Sequence, residues 1–173
     1  LVLIDGTCSC FPLISRLYPP ICTACVPIGD YVWHDANQNG IQDTNEEGIN
    51  GLTVELYEQN GILFSSKVTS KNSQTGKDGY YKFCTCEGTY YLKIIGPANF
   101  SRTNLRSGSD PTKDSDISNV NGENTTELFI AREGDMLCDV DAGFFRTTTL
   151  GNLVWNDVNG DGIANDLMYI PKA

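Results

Sequence analysis

The stretch that sets the architecture is residues 28–41, which read IGDYVWHDANQNGI, and it returns at residues 150–163 as LGNLVWNDVNGDGI. The two copies are offset by 122 residues, about the length of one domain. A self-similar segment at such a spacing is typical of a tandem array. The sequence therefore predicts a Cys/Pro-rich N-terminal segment (1–27), one complete repeat (28–146) and the first strand and loop of a following, incomplete repeat (147–173).

Between the two copies, short extended segments alternate with turn signals. Residues 52–57 alternate apolar and polar side chains, and Asn60-Gly61 just beyond them is a strong hairpin signal. No segment keeps a helical period of 3.6 over about ten residues. This pattern predicts an all-β fold, a sandwich or a barrel. After the strand that carries Trp33, the predicted extended segments are 52–57, 62–64, 67–69, 80–83, 89–95, 127–130 and 136–140.

Three structural expectations follow from this pattern. The tyrosine-rich segments 80–83 and 89–95 should pair with each other and bury one face. The stretch 101–126 is rich in Ser, Asn, Asp and Thr, so we expect a long loop there. Trp33 and its equivalent Trp155 should be core or interdomain aromatics rather than ligand-stacking groups.

The charge balance excludes several classes of function. There are 12 Lys and Arg against 22 Asp and Glu, which gives a net charge of -10. Binding to nucleic-acid phosphates and to anionic membrane surfaces depends on basic residues, so neither is expected. No apolar run approaches the roughly 20 residues of a membrane-spanning helix. With one His and no Gly-x-Ser-x-Gly motif, an enzyme is not predicted.

The cysteines favour a disulfide framework over a zinc site. A four-cysteine zinc site would need two closely spaced pairs, and only Cys22 and Cys25 have the usual spacing. Two glycosylation acceptor sequences, at Asn99 and Asn124, also point to an oxidising, secreted context. The connectivity stays open, and the odd number implies a free thiol or a bond to another chain. The candidates are Cys8, Cys10, Cys22, Cys25, Cys84, Cys86 and Cys138.

Residues 35–46 match a calcium loop of the EF-hand type position by position. A hard dication takes six to eight oxygen ligands, and this spacing turns alternate side chains inward. Gly40 stands at position 6, where the chain must turn sharply, and Glu46 at position 12 can ligate through both oxygens. The alternative is a polar turn that binds nothing. The predicted ligands are Asp35, Asn37, Asn39, Ile41 (through its main-chain carbonyl), Asp43 and Glu46.

Two further acidic sets are weaker candidates. The loop of the second copy offers Asp157, Asn159, Asp161 and Ile163, but position 12 is Met168. A second calcium site could instead form where clustered carboxylates would repel one another without a cation. The alternative there is a solvated acidic loop. Its candidate ligands are Asp30, Asp114, Asp116 and Asp141.

The order of these motifs resembles the B-type repeat of staphylococcal serine-aspartate repeat surface proteins. The resemblance runs from Gly29-Asp30-Tyr31-Val32-Trp33 through the loop to Glu46, then through residues 48–54, 78–83, 88–90, 114–116 and 141–144. It implies a Greek-key, prealbumin-like β-sandwich of the Ig-like type, related to the collagen-adhesin B domain. It also implies calcium binding at the loop, with Asp30, Asp114, Asp116 and Asp141 as secondary ligands.

The function that follows from this resemblance is structural. We expect a calcium-stabilised repeat of a surface stalk, fibre or filament, secreted or on a cell-surface appendage, that joins copies of itself or adjacent repeats head to tail. The alternatives are an adhesin module that binds an extracellular protein or glycan through residues 101–126, and a spacer attached to an enzyme. Calcium is the expected cofactor.

Overall fold

The structure is a computed structural model that describes residues 25–147. Within that range it contains ten strands and no helix, so none of the described residues forms a helix that could cross a membrane. The strands are β1 (Val26–His34), β2 (Thr53–Glu58), β3 (Leu63–Val68), β4 (Tyr80–Thr85), β5 (Gly88–Ile94), β6 (Phe100–Arg102), β7 (Ile117–Ser118), β8 (Thr125–Thr126), β9 (Phe129–Ala131) and β10 (Ala142–Arg146).

The strands form two sheets that pack as a sandwich. One sheet has the order β4-β1-β10-β6, and the other has the order β3-β2-β5-β8-β7 with β9 beside β5. In the first sheet β1 is antiparallel to β4 and parallel to β10. The predicted all-β sandwich is therefore confirmed, including the hairpin at Asn60-Gly61 that joins β2 to β3.

The core lies between the two sheets and is built from alternate residues of the long strands. Val54 and Leu56 of β2 lie beside Ile94 and Leu92 of the neighbouring strand β5, and all four are at most 1% exposed. Burying each such side chain stabilises the fold by roughly 1.5–3 kcal/mol. Trp33 is also fully buried, but outside this core cluster, and a Cβ on Gly143 would lie 2.6 Å from its ring. Glycine at that position thus lets β10 cross directly over the indole.

The expected pairing of segments 80–83 and 89–95 is wrong. β4 pairs with β1 and β5 pairs with β2, so the two strands lie in opposite sheets. The connection through Cys86 and Glu87 crosses from one sheet to the other, and Tyr81 and Tyr90 both face the shared core. Period-two burial identifies the inward face of each strand, but it is the same for paired strands and for strands packed across a core.

Two other expectations need correction. Residues 101–126 are not one long loop, because they contain β7 and β8 and bury Ile117 and Thr126 against the core. Strands of two residues are too short for periodicity to reveal. Residues 136–140 form no named strand. Leu137 makes an isolated bridge to Ile28, and Met136 is 74% exposed.

One disulfide closes the start of β1 onto the end of β4. Cys25 and Cys84 are bonded across a sequence separation of 59 residues. Cys86 is disulfide-bonded as well. Cys138 is the free, exposed cysteine of the range 25–147. The predicted disulfide framework thus holds for this range, whereas Cys8, Cys10 and Cys22 lie outside the described residues.

Candidate functional site: the loop at residues 35–46 and a neighbouring acidic cluster

The predicted calcium loop begins where β1 ends, and Asp35 anchors it. Its carboxylate is fully buried and accepts the main-chain N–H groups of Gly40 at 2.8 Å and Asn39 at 3.2 Å. The hydroxyl of Thr103 donates a short hydrogen bond to the same carboxylate. A buried carboxylate needs such partners. The first position of the loop is therefore fixed by the sandwich on one side and by the loop on the other.

The middle of the loop closes around Asp43. The side-chain amides of Asn37 and Asn39 both donate to Oδ2 of Asp43, at 2.8 and 3.0 Å. Their carbonyl oxygens accept main-chain N–H groups, from Asn39 and Ile41 respectively. Positions 3, 5 and 9 are thus already in contact. The amide groups would have to turn before their oxygens could face a cation at Asp43.

Glu46 closes the loop from its far end. Oε1 accepts the N–H of Ala36 at 2.8 Å, and Oε2 accepts the N–H of Asp43 at 3.2 Å. Each carboxylate oxygen therefore reaches a different part of the loop. The spacing predicts that Glu46, at position 12, ligates calcium with both oxygens, and that ligation stays a prediction.

Gly40 is required by the turn of the loop. Its φ is +79°, a left-handed conformation that residues with a Cβ adopt at a cost. A Cβ there would also lie 2.3 Å from the side-chain oxygen of Ser107. The loop is therefore packed against residues 104–107, which the sequence did not indicate.

The donor set of this loop suits calcium better than zinc or iron. It offers carboxylate, amide and carbonyl oxygens, which hard cations prefer. Among residues 25–147, no three His, Cys, Asp or Glu side chains are grouped tightly enough to hold a metal ion. Half of the predicted ligands of the loop are instead Asn side chains or a main-chain carbonyl.

A second acidic cluster lies beside β1 and β10. Oδ1 of Asp141 accepts the N–H of Tyr31 at 2.9 Å, and Oδ2 of Asp116 accepts the N–H of Asp141 at 2.9 Å. Asp141 is 1% exposed, and its Oδ2 has no hydrogen-bond partner among the described residues. A buried carboxylate oxygen without a partner is costly, but the Asp side chains of this part of the chain are not grouped tightly enough to hold a metal ion by themselves.

Burial and mutual repulsion raise the pKa values of this cluster. Burial, followed by the charges of neighbouring Asp30, Asp116 and Asp139, raises the pKa of Asp141 to about 8. Burial is also the main cause that raises the pKa values of Asp30 and Asp116 to about 6. At neutral pH these groups resist carrying their full charge together unless a cation compensates it.

Asp114 lies closer to the calcium loop than the other three predicted ligands of the second site do. Its main chain bridges Ile41 of the calcium loop, and its buried Oδ1 has no partner among the described residues. Burial raises its pKa, while Arg106 opposes the shift. Asp114 thus lies between the two candidate sites, and exposed Asp139 joins Asp30, Asp116 and Asp141 instead.

Three further groups of residues complete the comparison with the sequence: the ligands of the second loop, the glycosylation sites and Thr103. The predicted ligands of the second loop, Asp157, Asn159, Asp161 and Ile163, lie outside the described residues. Asn99 and Asn124 both have positive φ, at 63° and 54°, and their glycosylation stays a prediction. Thr103, which donates to Asp35, carries no signal in the sequence because the contact spans 68 residues.

Comparisons with known proteins agree with this architecture. The family profile described as "SdrD B-like domain" matches residues 26–144. Serine-aspartate repeat-containing protein D of Staphylococcus aureus (strain Newman) is 41% identical over 138 residues, which cover 78% of this chain. Serine-aspartate repeat-containing protein F of Staphylococcus epidermidis is 40% identical over 141 residues, which cover 80% of this chain.

These relatives are much longer than the sequence described here. The matched region covers 9% of the S. aureus protein and 7% of the S. epidermidis protein. The match includes both the loop at 35–46 and the acidic cluster, since it runs almost from the first to the last described strand. The chain belongs to the SdrD B-like domain family.

Proposed function

We propose that this chain provides a calcium-stabilised structural repeat of an extracellular surface stalk, fibre or filament. The observation that carries the proposal is the closed loop at 35–46, in which Glu46 reaches back to Ala36 and Asp43. The absence of an enzyme-like constellation in the sequence agrees with a mechanical rather than a catalytic role. The surface location is an inference from the family.

The residues that would hold calcium are those of the loop, Asp35 to Glu46. Bound there, the ion would supply positive charge between carboxylates that otherwise depend on N–H donors and Thr103. Calcium at Asp30, Asp116 and Asp141 stays a prediction, because these carboxylates are not grouped tightly enough among the described residues to hold a metal ion by themselves. The loop is tied to Thr103, 68 residues away, through the carboxylate of Asp35, so an ion bound in the loop would oppose unfolding.

The adhesin alternative has no specific observation in its favour. The segment 101–126 contributes buried Ile117 and Thr126 to the sandwich. Removing that segment would therefore open the core as well as any binding surface. Binding of an extracellular protein or glycan stays a prediction.

A thermal melt of the full chain tests the proposal. We expect the melting temperature to rise by several degrees between excess EDTA and millimolar calcium, under non-reducing conditions. A ligand that binds only the folded state adds about 2.7 kcal/mol at a hundred times its dissociation constant. Magnesium at the same concentration is the control, because it tolerates such loops poorly. Equal melting temperatures in calcium and EDTA would refute the calcium role.

A further inference from the structure

One long side of the sandwich is basic, although the chain as a whole is acidic. This basic side is formed by β3 and β4, which each end their own sheet and line a common groove. From residue 59 to residue 86 the only acidic residue is Asp78, whereas the whole chain has a net charge of -10. The same stretch contains four exposed lysines: Lys67, Lys71, Lys77 and Lys82.

The opposite long side is acidic, and it is formed by residues 133–141. Leu137 holds this segment against β1 on the side away from β4, because its N–H donates to Pro27 at 3.0 Å and its carbonyl accepts from Gly29 at 2.9 Å. The segment contains no basic residue. Its acidic residues are Glu133, Asp135, Asp139 and Asp141, and the side chains of Glu133 and Asp139 are exposed.

Both sides also expose large apolar side chains. On the basic side these belong to β3 and the residue before it, and on the acidic side to β9, the residue before it and the segment 133–141. Apolar side chains that are exposed at the edge of a sheet favour contact with another chain. They are Ile62, Leu63, Phe64 and Val68 on the basic side, and Leu128, Ile130 and Met136 on the acidic side.

A groove on the acidic side suits a lysine side chain. It has a volume of about 240 Å³, and its lining includes the apolar side chains of Phe129, Leu137 and Val140 and the carboxylates of Asp116 and Asp139. The aliphatic stem of a lysine packs well on apolar surface while its ammonium group stays beside carboxylates. The one basic residue of the lining is Arg106, which is already paired with Glu127 at 2.7 Å.

The two sides match each other in height along β1. Gly29 pairs with Lys82 of β4, and its carbonyl accepts the N–H of Val140, the neighbour of Asp139, at 3.4 Å. Lys82 and Asp139 therefore lie near the same level on opposite sides of the strand. In two copies placed side by side without a shift, Lys82 of one copy would face Asp139 of the next.

We propose that copies of this domain pack side by side, with the basic side of one copy against the acidic side of the next. A second copy fits these surfaces because each side supplies the charge that the other lacks and an apolar surface to cover. The two surfaces in contact are different, so the same contact repeats and gives a row of copies.

This lateral contact goes beyond the structural role proposed above, because it joins neighbouring stalks and does not require calcium. Complementary charges select the partner and its orientation, although each exposed ion pair contributes little to affinity. Covered apolar side chains contribute the rest. Many copies attached to one surface would strengthen a weak contact through their high local concentration.

Sedimentation equilibrium of the full chain with exchanged charges tests the contact. One variant carries Lys67→Glu and Lys82→Glu, and a second carries Glu133→Lys and Asp139→Lys. The control, Lys93→Glu with Lys113→Glu, changes the net charge as much as the first variant but lies on neither side. All samples carry Cys138→Ser, so that no disulfide at this free thiol imitates association. Melting temperatures check that each variant folds.

The original protein and the control should associate as their concentration rises, whereas each side variant alone should stay monomeric. An equimolar mixture of the two side variants should associate again, because their exchanged charges are complementary. An original protein that is monomeric at millimolar concentration would overturn the proposal and leave both sides open to a different partner. Equal association of the original protein and of either side variant alone would also overturn it.

Carbodiimide cross-linking gives a second readout on the original protein, because it joins only amines and carboxylates that are in contact. In a mixture of isotope-labelled and unlabelled protein, we expect a link from Lys82 of one copy to Asp139 of the other. Its absence, in a sample where other lysine–carboxylate links form, would contradict the contact. Neither experiment depends on a calcium-induced change in melting temperature, so the lateral contact and the calcium role fail separately.

Discussion

Without calcium, the protein should unfold at a lower temperature at pH 8 than at pH 5.5, and Asp141→Asn should remove most of that difference. Burial raises the pKa of Asp141 to about 8 in the folded protein, against 3.8 for an ordinary aspartate. The folded state therefore binds a proton that the unfolded state releases, so this contribution to stability is full below about pH 4 and is lost as the pH rises through 8. The expected difference is on the order of 3 kcal/mol.

Asp139→Asn is the matched control for this prediction. It removes one charge from the same cluster, but its side chain is exposed and the buried carboxylate remains. We expect the pH dependence to persist in this variant. Adding calcium at pH 8 should raise the melting temperatures of both the original protein and Asp141→Asn, because both keep the loop from Asp35 to Glu46. Melting temperatures of the calcium-free protein that do not change between pH 5.5 and 8 would show that Asp141 is not held as described.

Loss of the Cys25–Cys84 disulfide should cost about 4 kcal/mol of unfolding free energy. The bond closes a loop of 59 residues, and cross-linking a loop of that length restricts the unfolded chain by about this amount in the chain-entropy model. The double variant Cys25→Ser, Cys84→Ser leaves no new free thiol at this position. Urea unfolding of the full chain measures the loss.

Cys138→Ser is the control for the disulfide variant. This cysteine is free and exposed in the described part of the chain, so replacing it should change stability by less than about 0.5 kcal/mol. If the double variant were as stable as Cys138→Ser, then the link between β1 and β4 would not contribute to the stability of the fold.

The sequence predicted the sandwich and its main hairpin well, because the signals involved are local. Asn60-Gly61 supplies a turn that only a few residues adopt easily, and the burial of Val54 and Leu56 follows the alternation of their strand. The sequence could not predict that β4 and β5 lie in opposite sheets, because this depends on how the chain crosses between the sheets at Cys86 and Glu87. Short strands such as β7 and β8 are held by pairing with each other and with β5, and by the burial of Ile117 and Thr126.

In the candidate site, too, the sequence predicted the local contacts and missed those between distant segments. The spacing from Asp35 to Glu46 placed both carboxylates in one closed loop, because ligand positions in such loops are fixed by local geometry. The support from Thr103 and the position of Asp114 beside Ile41 come from segments distant in sequence. Without aligned relatives, neither contact leaves a trace in a single sequence.

The most direct test of the calcium role is a calorimetric calcium titration of the full chain after EDTA stripping. Glu46→Gln should weaken binding to the loop by at least about tenfold, because it removes the carboxylate that closes the loop. Glu47→Gln removes the same charge one residue away, from an exposed side chain, and should bind as the original protein does. Calcium affinity that falls at least about tenfold in Glu46→Gln alone is the predicted result. No heat of binding, or equal affinity in all three proteins, would contradict the calcium loop on which the proposed function rests.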